Sequence, residues 1–169
     1  MAVGSVQITG TGQLLELQRR LRAAGHENIR SSMQRRTRRA AEPMRNDLQS
    51  AIRGLQISSP GRSGRGGGPS PTTRPLRATI AEAIRISVRV SANPGARVWV
   101  DKGRLPPDLR RMPQVINEGR IRHPVYGNRR RWVTQTAPPL WWDRTVRTHR
   151  SRMEREMARV LDDVRRQLD

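Results

Sequence analysis

The residues that could do chemistry in this sequence are few, and their spacing forms no metal site. The three histidines, His26, His123 and His149, lie in separate segments, and no second histidine stands at the spacing that would place two imidazoles on one helical face. The chain has no cysteine, which excludes thiol nucleophiles, disulfide bonds and Cys-ligated zinc. We therefore expect no metal ion and no cofactor.

The glycine-rich stretch and the acidic residues also give no catalytic motif. The sequence Gly-Arg-Ser-Gly at 61–64 resembles half of a nucleophile elbow, but Arg65 stands where the closing glycine belongs. The glycines at 64–68 match neither a dinucleotide fingerprint nor a Walker motif, since no lysine follows them. The one cluster of acids, near the carboxyl end, is interleaved with arginines, as in a salt-bridged surface. The sequence therefore predicts that the chain is not an enzyme.

The strongest chemical signal is positive charge. The 169 residues contain 34 lysines and arginines against 14 acids, a formal net charge of +20, and every cation except Lys102 is an arginine. Such charge opposes compaction of an isolated monomer and suits a polyanionic partner. The alternative is a solvated, arginine-rich surface. The candidate contacts with DNA phosphates or an acidic partner are Arg35, Arg36, Arg38, Arg39, Arg62, Arg65, Arg129, Arg130 and Arg131.

Aromatic residues make up only 3% of the chain, and there is no phenylalanine. Most of them alternate with apolar residues, which favours a core or a subunit interface over base stacking. Sequence-specific recognition of bases is not indicated. We take the adjacent Trp141 and Trp142 as the candidate subunit interface.

The periodicity of apolar residues indicates the elements that position these groups. A short strand ends at Gly10, and two helices follow, the second running from about Glu27 to Leu55 as one kinked helix across Pro43 or as two segments. Alternation at 86–90 and 98–100 predicts a hairpin, and 121–126 and 132–135 predict two more short strands around a loop at 127–131. The stripe from Trp142 onward predicts a long final helix.

These elements predict one α+β domain, in which helices pack on a small antiparallel sheet of three to five strands. Residues 1–57 form an N-terminal strand and helical arm, and residues 76–169 form the sheet and the C-terminal helix. Between them, residues 58–75 are rich in glycine, proline and arginine, which predicts a mobile basic loop. The chain shows neither a transmembrane stretch nor a signal peptide, so we expect an intracellular protein without membrane contact.

One segment resembles a known family. The sequence Gly-Arg-Ile-Arg-His-Pro-Val-Tyr-Gly at 119–127, followed by Trp-Val-Thr-Gln at 132–135 and an aromatic pair after prolines, is similar to the tail-completion or neck proteins of long-tailed double-stranded DNA bacteriophages, typified by the lambdoid gene-product-ten-like minor structural protein. The order of the predicted elements agrees with this resemblance across most of the chain. The positions that match the family motif are His123, Pro124, Tyr126, Gly127, Trp132 and Gln135.

The resemblance implies a virion protein that forms a homo-oligomeric ring, of six copies, at the head-to-tail junction. Such a ring completes the tail or joins it to the connector, contacts neighbouring connector and tail-tube proteins, and surrounds the DNA channel, after assembly in the host cytoplasm. For the motif it implies a structural role, with Pro124 and Gly127 shaping the chain and Tyr126 and Trp132 anchoring it in the core. The charge alone leaves open a free, non-sequence-specific nucleic-acid-binding protein, or an architectural partner of another assembly.

Overall fold

The computed structural model describes residues 5–9, 16, 19, 27–58, 75–90, 95–125 and 128–166. Within these ranges the chain folds as predicted, as an α+β protein with helices packed on small antiparallel sheets. None of the described helices combines the length and the apolar character that a bilayer span requires. The helices are α1 (Glu27–Gly54), α2 (Leu76–Glu82), α3 (Met112–Glu118) and α4 (Trp141–Arg166), and the strands are β1 (Ser5–Thr9), β2 (Ile84–Arg89), β3 (Gly95–Val100), β4 (Arg120–Val125) and β5 (Asn128–Thr136).

The larger sheet has three strands in the order β1-β3-β2, all antiparallel. Ile86 on β2 lies opposite Val98 on β3, and both side chains are buried. Because side chains alternate across a strand, these residues place one face of the sheet against the helices and leave the arginines between them on the other face. The predicted hairpin at 86–100 and the predicted early strand are both confirmed.

Helices α1 and α4 lie antiparallel and supply most of the helical layer. Asp47 near the end of α1 contacts His149 near the start of α4, whereas Met33 packs with Val160 and Val164 at the opposite end. The main core contains residues of α1, the sheet and α4, and this second, smaller apolar cluster closes the far end of the helix pair. Pro43 lies inside α1, which confirms one helix rather than two segments. The predicted apolar stripe of α4 is also confirmed.

The second sheet is the two-stranded hairpin β4–β5. It begins immediately after α3, where Gly119 adopts a left-handed φ of 83°. A side chain at this position would be strained, and an added Cβ would also come within 2.9 Å of the carbonyl oxygen of Ala137. A glycine is therefore required where the chain turns from α3 into the hairpin.

Several sequence predictions differ from the structure or lie outside its described part. The loop predicted at 127–131 is wrong for most of its length, because β5 already begins at Asn128. The spacing of Leu109, Met112 and Ile116 allows a short helix between Pro106 and Glu118, and in the structure this range forms a 3-10 turn, Pro107–Leu109, followed by α3. The helix predicted at 11–24 lies outside the described residues except for positions 16 and 19, and the predicted mobile loop lies outside them except for Ser58 and Pro75.

Candidate nucleic-acid interface

The hairpin β4–β5 is attached to the body of the protein at its base. The backbone of Thr136 exchanges two hydrogen bonds with Ser58, of 2.8 and 2.9 Å between nitrogen and oxygen, which join β5 to the chain that follows α1. The Ala137 amide donates to the Gly119 carbonyl at 3.0 Å, and the buried Ile121 side chain enters the main core. These contacts hold one end of the hairpin, so the orientation of its strands relative to the core is defined.

The outward face of the hairpin carries an arginine stacked on a tryptophan. Pro124 lies opposite Trp132, and Arg122 lies opposite Thr134, so these four residues share one face. The guanidinium carbon of Arg122 lies 5.1 Å from the centroid of the Trp132 ring, within the range of a cation-π interaction. The Trp132 side chain is 49% exposed, and its indole nitrogen donates to the Arg129 carbonyl at 2.8 Å. The ring is thus held in place while remaining open to solvent.

Near the tip of the hairpin, three successive arginines of β5 are not paired with residues of β4. The register shifts between Pro124 and Val125, since Pro124 lies opposite Trp132 but Val125 lies opposite Asn128. The residues between Asn128 and Trp132 consequently have no partner on β4, as in a β-bulge. The bulged residues are Arg129, Arg130 and Arg131, and all three are exposed.

The hairpin has cations but no acids of its own. Residues 119–136 contain five arginines, one histidine and no aspartate or glutamate. The five arginines are all exposed, and within the described part of the chain none forms an ion pair with a carboxylate. Glu118, the nearest acid in sequence, accepts a hydrogen bond from Gln114 instead. The positive potential of the hairpin is therefore not cancelled locally, and guanidinium groups of this kind donate readily to phosphate oxygens.

The structure tests the roles assigned to the motif residues only in part. His123, Pro124 and Gln135 are half-buried on the hairpin, and the His123 Nδ1 atom lies 3.2 Å from the Pro124 carbonyl. Pro124 also stands where the register shifts. The prediction that Trp132 anchors the core is wrong, because its ring lies on the outward face. Tyr126 and Gly127 lie outside the described residues.

The candidate subunit interface at Trp141 and Trp142 is covered by the chain itself. Their exposed fractions are 4% and 2%, and their rings meet edge to face with centroids 5.7 Å apart. Both belong to the main core, where the first turn of α4 meets α3, and the indole nitrogen of Trp141 points to the Pro113 carbonyl at 3.4 Å. The structure therefore places both residues in the core, which is one of the two alternatives that the sequence left open for them, and little of either ring is accessible to another subunit.

Of the four arginines predicted on α1, Arg36 and Arg39 line a groove between α1 and α4. The groove has a volume of about 340 Å³ and is lined by Arg36, Arg39, Arg152, Arg159 and two acids, among others. Arg36 donates to Asp163 at 2.9 Å, so its charge is already partly compensated within the chain. Arg35, Arg38 and Arg39 are exposed, and Arg62 and Arg65 lie outside the described residues.

Sequence reasoning missed Arg120 and Arg122 as candidate contacts. Both alternate with apolar residues in β4, and such alternation predicts an outward position, so the signal was present in the period-2 pattern. Among the residues that the structure describes, no group of three or more histidines or acids could hold a metal ion. The arrangement of the hairpin is suited to contact with phosphates and with an aromatic or apolar partner surface.

No protein-family model, no curated protein and no solved structure matches this chain.

Proposed function

We propose that this chain is a bacteriophage virion protein that forms a ring at the head-to-tail junction, as a tail-completion or neck protein around the DNA channel. The observation that carries the proposal is the position of the motif on which the family resemblance depends. Its described residues lie on a hairpin that is fastened at the base and open along its outward face. A motif in this position is available to neighbouring subunits and to DNA.

The chemistry of the hairpin fits both kinds of contact. Tryptophan and arginine are the residues that contribute most to protein interfaces, and Trp132 and Arg122 present them side by side. The three bulged arginines near the tip are not paired with residues of β4, and they provide positive charge for contact with DNA phosphates. In a ring, one part of the hairpin can pack on the adjacent copy while the arginines face the DNA path.

Assembly around DNA or beside acidic neighbours also relieves the electrostatic repulsion within the monomer. A net charge of +20 on 169 residues disfavours a compact isolated subunit, and an assembly that binds DNA or acidic neighbours offsets that repulsion. Identical contacts repeated around a closed axis generate a ring, which is the arrangement that the resemblance implies.

The test is the oligomeric state of the purified full chain and its presence in phage particles. Native mass spectrometry and negative-stain electron microscopy should show a ring of defined copy number, six on the present proposal. A W132A/R122A variant should form fewer rings, whereas R147Q, which removes an exposed charge from α4, should form as many as the parent chain. Monomers at every concentration, together with absence from particles, would refute the proposal.

The second candidate is a free, non-sequence-specific nucleic-acid-binding protein, which the acid-free hairpin favours. It predicts binding to DNA duplexes of any sequence, with an affinity that falls steeply with salt, by roughly 0.9 logarithmic units per logarithmic unit of salt for each phosphate contacted. Virion association separates the two candidates, since only the first requires it. DNA binding that salt does not weaken would exclude the second.

A further inference from the structure

The three-stranded sheet has an open face that combines arginines with one tryptophan, as the hairpin does. On this face lie Arg85 and Arg89 of β2 and Arg97 and Trp99 of β3, on the side opposite the buried residues. The three arginines are exposed, and Trp99 is half-buried. The guanidinium carbon of Arg97 lies 5.3 Å from the centroid of the Trp99 ring. An arginine stacked on a tryptophan therefore occurs on both sheets.

The strand register places these residues next to one another. Trp99 lies between Arg85 on one side and Ser5 on the other, and Arg97 lies opposite Ser87. Directly opposed side chains in an antiparallel sheet have Cβ atoms roughly 4.5–5.5 Å apart. The face consequently presents guanidinium groups around one aromatic ring, with small hydroxyl side chains beside them.

The three strands of this sheet carry no acid, and Asp101, which follows β3, accepts from the Gly103 amide at 3.1 Å and lies 3.8 Å from Arg104. The five strands carry eight arginines and no aspartate or glutamate, whereas every helix carries at least one acid, and α4 alone carries five. Within the described residues, Arg85, Arg89 and Arg97 form no ion pair with a carboxylate. The positive charge is thus balanced in part on the helices and unbalanced on the strands.

We propose that the open face of the β1-β3-β2 sheet is a second nucleic-acid binding site, in which Arg85, Arg89 and Arg97 contact backbone phosphates and Trp99 lies against the bound strand. Charge complementarity selects the occupant. The strands of this face carry arginines and no acid, so the same face of a second copy offers it no complementary charge, whereas a polymer with regularly spaced phosphates matches several separated guanidinium groups. The inference does not depend on ring formation.

The test uses the intrinsic fluorescence of Trp99. The W132F substitution removes the exposed tryptophan of the hairpin, and the other two tryptophans are buried, so a DNA-induced change in fluorescence then reports mainly on Trp99. Titration of W132F with a short DNA duplex and, separately, with single-stranded DNA should change the emission. Adding R85Q and R89Q should lower the slope of log affinity against log salt by about 1–2, since each phosphate contact contributes roughly 0.9.

A matched control distinguishes binding at this face from a general effect of net charge on DNA affinity. R147Q and R155Q in the W132F background remove two exposed arginines from α4, and this variant should keep the slope of its parent. If the R85Q/R89Q and R147Q/R155Q variants lower the slope of log affinity against log salt equally, the proposal is overturned, because any two exposed arginines would then contribute equally to binding. An unchanged Trp99 emission at saturating DNA would also overturn it. If polyglutamate of equal charge reproduces the emission change and the slope, the partner is an acidic protein and the proposal fails.

Discussion

Asn117 at the end of α3 and Asp143 in the first turn of α4 are joined by a buried hydrogen bond, with 2.7 Å between Asn117 Nδ2 and Asp143 Oδ2. The other Asn117 side-chain atom, Oδ1, accepts from the Trp142 amide at 3.0 Å, and its backbone carbonyl accepts from the Leu140 amide at 2.7 Å. The Asn117 side chain thus accepts a hydrogen bond from the first turn of α4 and donates one to a single oxygen of the buried Asp143 carboxylate. This contact sets α4 against α3 immediately before the hairpin begins.

We expect N117A to be among the most destabilising substitutions that leave the apolar core intact. It removes a hydrogen bond to a buried carboxylate and one to a helix amide, and the other carboxylate oxygen, Asp143 Oδ1, already lacks a partner within the described residues. The free energy of unfolding should fall by about 3 kcal/mol, measured by urea denaturation. N46A, on the exposed face of α1, is the control and should change it by less than about 0.5 kcal/mol. Similar values for the two variants would contradict this account.

The two glycines that follow α3 and end α1 should respond in opposite directions to alanine. G119A forces a side chain into the left-handed region and against the Ala137 carbonyl, so it should cost at least about 1–2 kcal/mol of unfolding free energy. G54A meets no atom within 4 Å and should be neutral or stabilise by about 0.4–1 kcal/mol. Thermal denaturation of both variants measures the difference. A G119A protein as stable as the parent would mean that the turn into the hairpin does not depend on this conformation.

The Arg122–Trp132 contact should contribute little to stability and more to binding. Both side chains are exposed, so a double-mutant cycle of R122Q and W132F should give a coupling of about 0.5–1 kcal/mol in unfolding free energy. W132A should weaken binding to single-stranded DNA by about 1–3 kcal/mol if the ring stacks on a base. W132F, which keeps an aromatic ring at this position, serves as the comparison and should lose less affinity. A large loss of stability in W132A would instead indicate that the ring supports the fold.

Much of the fold could be predicted from the periodicity of apolar residues. In the elements that build the main core, this periodicity is long enough to distinguish a helix from a strand. The stripe in α4 recurs over seven turns, and the alternation in β2 and β3 places Ile86 and Val98 inside and Arg85 and Arg97 outside. Both patterns reflect how a helix or a strand presents side chains to one face. The elements of the main core were therefore predictable, and their pairing as neighbours in the sheet followed from the short connection.

The positions of the tryptophans were not predictable from the same reasoning. Trp132 alternates with an apolar residue, but the register shift near the tip and the phase of β5 put it on the outward face. Trp141 and Trp142 are adjacent in sequence yet both buried, because the first turn of α4 lies between α3 and the core. The Asn117–Asp143 contact joins residues 26 positions apart. Such contacts depend on how elements pack, which local pattern does not encode.

Asp163 carries a negative charge that offsets the charge of the arginines at the groove between α1 and α4. Asp163 accepts from Arg36 and is also bridged by Arg166, and its side chain is about one-third exposed. Exposed ion pairs contribute little, so D163N should lower the unfolding free energy by no more than about 1 kcal/mol, and high salt should abolish the loss. It should nevertheless increase affinity for DNA at low salt, because two arginines then lose their partner and the net charge rises by one.

The control for D163N is E154Q, which changes the net charge by the same amount but releases only Arg150 on the outer surface of α4. If the groove contributes to polyanion binding, D163N should raise the DNA affinity more than E154Q does, and the slope of log affinity against log salt should become steeper in D163N alone. Fluorescence anisotropy with a labelled duplex across a salt series measures both quantities. Equal increases in the two variants would show that net charge, and not the groove, sets the affinity on this side of the molecule.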